Sequence, residues 1–140
     1  MRASVRREVV IAAPPDAAWA IVGRPELLDR WFPGVVGCTV TGDRRTVTLA
    51  SGLVQDETIL TNDPLQRRFQ YRITGGIFAE HLASLDVIAL GDDRCLVTYA
   101  SDADPAALAV VLGGATAAAL AELRHQVEAR VPAPAGGRAR

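Results

Sequence analysis

The stretch DPAALAVVLGGATAAALAELRHQVEARV at 104–131 decides the fold. Asp104-Pro105 reads as a helix start, an N-cap acceptor followed by proline at the first helical position. The helical pattern then runs to about Val131, about 26 residues or ~39 Å at 1.5 Å per residue. Leu108, Leu112, Ala115, Ala119, Leu123 and Val127 form its apolar stripe. A helix of that length needs a broad apolar surface to lie across, and the residues before it supply one.

From Val35 to Ser101 the pattern has period two and is cut at short intervals by turn residues. The cuts are Gly42-Asp43, Ser51-Gly52, Asn62-Asp63-Pro64, Gly75-Gly76 and Gly91-Asp92-Asp93, which delimit six strands in a meander. Phe69, Tyr71 and Ile73 alternate with Arg68, Gln70 and Arg72, while His81, Ala83, Leu85, Val87 and Ala89 alternate with Glu80, Ser84 and Asp86. Val5 to Ala13 reads as a further strand. Two short helices follow it, one through Trp19 and stopped by Gly23, one from Pro25 through Trp31 and ended by Pro33-Gly34. The expected architecture is α+β. A seven-stranded curved antiparallel sheet wraps a long C-terminal helix, and the two short helices after the first strand plug the open edge. Residues 1–131 form one domain, and the Pro/Gly/Ala/Arg stretch at 132–140 reads as a disordered tail.

Composition narrows the function. All fifteen basic residues are arginine. Schiff-base chemistry and a lysine base are therefore excluded, since arginine clamps anions without releasing its proton. The richness in alanine and arginine suggests GC-rich bacterial coding. With net charge −1 and no basic stripe, nucleic acid is not an expected partner. Cys38 and Cys95 lie far apart and read as core thiols in a reducing cytoplasm. The N-terminus is too polar for a signal peptide, and no apolar run is read as long enough for a membrane span. Two separated histidines and two isolated cysteines have no metal-ligand spacing, and no nucleophile elbow or phosphate-cradling loop is found. Neither a metal nor a cofactor is expected.

The segments VVIAAPPDAAW (9–19), LLDRWFPGV (27–35), DET (56–58), Asp63-Pro64, YRI (71–73) and the closing helix from Asp104 resemble the START-related helix-grip superfamily (SRPBCC), in its polyketide cyclase/dehydrase-like branch. The resemblance covers nearly the whole chain. It implies the helix-grip fold with an apolar ligand cavity between sheet and helix, on a scaffold that also hosts carriers, receptors and co-chaperones. SGL at 51–53 is similar to the gate loop of the superfamily's plant hormone receptors, which implies that this loop lines the cavity mouth.

Polar residues in the inward phase are the candidate site. Of the two phases of the strand 53–61, the resemblance favours the one that turns Glu57 inward. There it would act as general acid or base, with a raised pKa. Otherwise it is solvated on a twisted strand or bonded to the arginines opposite. His81 shares the inward phase of an apolar strand, as base or donor to a ligand oxygen, or else faces solvent at the strand's open end. Tyr71 and Tyr99 carry hydroxyls that would bind a carbonyl, or would pack in the core with the hydroxyl at the rim. Trp31, Phe69, Phe78, Leu53, Ala115 and Ala119 are the expected apolar lining, although Trp31, like Trp19, reads first as an edge-plugging core residue. Gly113-Gly114 leaves open three readings: room for a ligand, close approach to the sheet, or a kink.

The expected function is binding of a polyketide-like or lipid-like molecule, with cofactor-free cyclisation or dehydration if the chain is an enzyme. A non-catalytic carrier or sensor is the alternative, and a co-chaperone-like interaction module the third. The protein is expected as a monomer or homodimer.

Overall fold

Val9 and Ile11 on the first strand turn toward the core while Arg6, Glu8 and Val10 face solvent, so the strand presents one side to the interior. That strand is β1 (Ala3–Ile11) in a computed structural model that describes residues 1–131. The expected tail at 132–140 lies outside the described residues. After β1 come α1 (Pro15–Val22), a 3-10 turn (Pro25–Leu27) and α2 (Leu28–Trp31). Six strands follow: β2 (Val35–Thr41), β3 (Arg44–Leu49), β4 (Val54–Asp63), β5 (Arg68–Thr74), β6 (Glu80–Ala89) and β7 (Cys95–Asp104). The chain closes with α3 (Ala106–Arg130).

All seven strands form one antiparallel sheet in the order β1-β7-β6-β5-β4-β3-β2. Register shifts between Val35 and Gly37 and between Ile59 and Thr61 interrupt the ladders, the device by which a sheet bends locally. α3 packs across β1 and β7 on the concave side, and α1 and α2 cover the remainder. This is the helix-grip fold that the sequence pattern implies.

Gly23 ends α1 for a steric reason. A Cβ there would sit 2.5 Å from the Trp19 indole. Asp104 does not cap α3. It is the last residue of β7, paired with Glu80, and Pro105 takes the N-cap position. The expected stripe on α3 is correct only in its C-terminal half. Ala119, Leu123 and Val127 are buried, but upstream the buried residues are Ala109, Gly113 and Thr116, while Leu108, Leu112 and Ala115 are half-exposed. Residues 106–121 are apolar or small on every side, so periodicity there carries no phase. Small residues win the buried face because α3 comes very close to β1. A Cβ on Gly113 would meet Val5 at 3.0 Å, whereas one on Gly114 would meet nothing. Of the three readings of the glycine pair, close approach holds at Gly113, on an unbroken helix.

By length and composition alone α3, with 25 residues and an 18-residue window of mean hydropathy 1.8, is long and apolar enough to cross a membrane, contrary to the sequence reading. In this fold it lies across the sheet instead.

Candidate functional site

The concave face carries a buried polar cluster. Arg45 on β3 and Glu57 on β4 are directly opposed in the antiparallel register. Both side chains are nearly sealed, at 2% and 3% exposed. Arg45 Nε donates to Glu57 Oε1 at 2.7 Å, and Nη1 donates to the Pro25 carbonyl at 3.2 Å. Nη2 lies 2.6 Å from the same Oε1 but off the hydrogen-bond axis, an ion-pair contact without a well-aligned hydrogen bond. The guanidinium stacks over the rings of Tyr71 and Phe69, 4.7 and 5.4 Å from their centroids. Burial pushes the Glu57 carboxyl above its ordinary value, and Arg45 works against that rise. Burial likewise disfavours the Arg45 charge, but Glu57, Tyr71 and Tyr99 together outweigh it and the net shift is upward.

Tyr71 on β5 and Tyr99 on β7 hydrogen-bond through their hydroxyls, across the intervening β6. Ala83 makes this meeting feasible. It is the β6 residue opposite Tyr71 and is fully buried, while Leu85 lies opposite Tyr99, so the small side chain at 83 leaves room for the Tyr71 ring to lean toward β7. Only one of the two hydroxyl protons is used between them. Burial raises both phenols far above the usual range.

His81 opens the inward phase of β6 and is buried. Its Nδ1 accepts the Ile73 backbone N–H at 2.9 Å. That bond places the proton on Nε2, for which no partner is found among the described residues. Burial, helped by Arg72, pushes its pKa down to about 4, so the ring is neutral. Phe78 packs edge-on against it at 5.1 Å, and Tyr71 lies 5.8 Å away.

The aromatic chain continues on the other side. Trp31 and Phe32 both pack on Tyr99, at 6.3 and 6.2 Å. The cavity between these groups is small, about 10 Å³, lined by Arg45, Phe69, Tyr71, Tyr99 and Trp31 among others. That is the room of one water. The sequence led to a roomier chamber. The aromatic side chains that were expected to line it instead meet across it.

Glu57, His81, Tyr71, Tyr99, Trp31, Phe69 and Phe78 are thus gathered on the concave face. Leu53 is not among them, being 56% exposed in the turn before β4. Ala119 is buried against the sheet and Ala115 half-exposed, and neither lines the cavity beside Arg45. Arg45 was missed as a site residue. The signal was present: stepping back by two from the inward Val47 lands on Arg45.

Residues 2–131 match the family model described as polyketide cyclase/dehydrase and lipid transport. The chain belongs to that family. Membership marks this as a hydrophobic-ligand-binding fold. No curated protein matches the sequence. Among solved structures, an uncharacterised protein from Bacillus thuringiensis is similar, with a TM-score of 0.82 at 19% identity over 89% of this chain and 98% of that one. A START superfamily protein from Mycobacterium smegmatis gives 0.76 at 21% identity, over 91% and 99%. Norcoclaurine synthase from Thalictrum flavum, in complex with dopamine and hydroxybenzaldehyde, gives 0.76 at 17% identity, over 95% and 90%. At these identities the likeness extends family membership to the shared fold alone.

Proposed function

We propose that this protein binds an apolar, polyketide-like or lipid-like molecule between α3 and the concave face, with a carbonyl or enol oxygen of the ligand seated against Arg45, Tyr71 and Tyr99. One observation carries the reading. The buried donors around the cavity outnumber their acceptors. Arg45 Nε and Nη2 crowd onto one Glu57 oxygen, Nη2 without a well-aligned hydrogen bond, and one tyrosine proton has no acceptor. An unmatched buried donor costs about 1–3 kcal/mol, so a polar ligand atom that meets it gains that much over a hydrocarbon. A ligand oxygen satisfies both Nη2 and that proton. An entering ligand displaces the aromatic contacts around Tyr99, which requires α2 or the Gly75–Phe78 connection to swing outward.

The same geometry suits cofactor-free proton transfer. Arg45 and the hydroxyl pair would stabilise a developing enolate, as donors aimed at an oxyanion do. Glu57 Oε2 takes no hydrogen bond within the described residues and is the base in this reading. His81, with Nδ1 occupied, serves as a donor through Nε2 and not as a base.

The test uses a naphthyl ketone and a hydrocarbon of the same size as fluorescent ligands. The ketone is expected to bind about tenfold more tightly, and Arg45→Met to erase that preference. Equal binding refutes oxygen recognition, and no binding of either refutes the ligand reading. Hydrogen–deuterium exchange next to the ketone, followed by NMR, checks the chemistry. Protein-catalysed exchange lost in Glu57→Gln supports proton transfer; absence of exchange with binding intact leaves a carrier.

A further inference from the structure

β1 has an unused side. It pairs with β7 along its whole length, from Ala3 to Ile11, and among the described residues no strand pairs with its other edge. A free edge of nine residues is a ready template for another strand. Beside it runs a groove of about 500 Å³ between β1 and α3, floored by Val9, Ala117, Leu120 and Ala121.

The sequence of β1 specifies what fits there. Read antiparallel to itself about Arg7, the strand is self-complementary. Arg6 falls opposite Glu8 of a second copy, twice by symmetry, on the outer face. Val5 falls opposite Val9, again twice, on the face toward α3. Sliding by two residues, the smallest shift that keeps faces matched, sets Arg6 against Arg6 or Glu8 against Glu8. Charge therefore selects one register. Within the chain Arg6 and Glu8 are exposed and make only a 3.7 Å contact. Arg7 would lie on the two-fold axis, but its Nε is held by the Gly113 carbonyl at 3.2 Å, which keeps the side chain over its own helix.

We propose that two copies of this chain pair through β1 in that register, joining their sheets into one across a two-fold axis. The facing grooves then run together along the joint.

Sedimentation velocity over a wide concentration range, with hydrogen exchange of the β1 amides, tests this. The full chain is expected to dimerise, with β1 amides protected in the dimer. Arg6→Glu or Glu8→Arg is expected to weaken dimerisation about tenfold, since two attractions become two repulsions. Arg6→Glu with Glu8→Arg should restore it. At concentrations where the parent is monomeric, melting temperatures of all three variants should match it, because both residues are exposed. A chain that stays monomeric overturns the proposal, including a monomer whose β1 amides are protected by residues 132–140. So does a dimer indifferent to the single substitutions or not rescued by the double one.

Discussion

Arg45 spends two of its nitrogens on a single oxygen of Glu57, across one rung of the β3–β4 ladder. An ion pair sealed this way is costly to break from one side only. Arg45→Met should destabilise the protein by about 3–5 kcal/mol, because it strands a buried carboxylate. Arg45→Met combined with Glu57→Leu should recover most of that loss. Urea unfolding of the three variants measures the difference. A double variant no better than the single would mean that the two residues are not energetically coupled.

His81 supplies a pH dependence. Its folded pKa is about 4 against an ordinary 6.5, so between these values the unfolded chain binds the extra proton. The stabilisation is complete above pH 6.5 and is lost as pH falls toward 4, amounting to about 3 kcal/mol. His81→Asn keeps an acceptor for the Ile73 amide but does not titrate. The stability difference between wild type and this variant should therefore shrink across that window on the acid side; a constant difference would refute the assignment.

Ala83 keeps the tyrosine hydroxyls within reach of each other. Ala83→Leu should part them and fill the space over β6, at a cost of about 1–3 kcal/mol from overpacking. Binding of the ketone probe should fall with it. Unchanged ketone affinity would show that the hydroxyl pair plays no part in recognition.

The two glycines of α3 should respond in opposite directions. Gly114→Ala faces open space and should raise stability by about 1 kcal/mol, the helix-propensity difference. Gly113→Leu has nowhere to go against Val5 and should lower it. Thermal melts of the pair read this directly.

The sheet was legible in the sequence because β5, β6 and β7 alternate buried residues with half-buried or exposed ones almost without exception, and turn residues separate them. The inward placement of Tyr71, Tyr99 and His81 follows from that same alternation. Two things were not legible. The facing of α3 near its start was hidden, since Ala, Val, Gly and Leu on all sides give no contrast to read, whereas Glu122, Arg124, His125 and Glu128 fix the later turns. The partner of Glu57 was hidden because strand register is a property of two segments. Of the arginines opposite, only pairing across β3 and β4 selects Arg45. How far the aromatic rings close on one another is set by sheet curvature, which no single segment encodes.

Trp31 is buried beside Tyr99, while Trp19 is half-buried at the end of α1 against Gly23. The molecule therefore contains a matched optical pair, one indole at the cavity wall and one outside it. Filling the cavity alters the polarity and quenching felt by Trp31 and leaves Trp19 as an internal standard. With Trp19→Phe to silence the second signal, intrinsic emission alone would report the proposed entry of a ligand beside Trp31 in unlabelled protein.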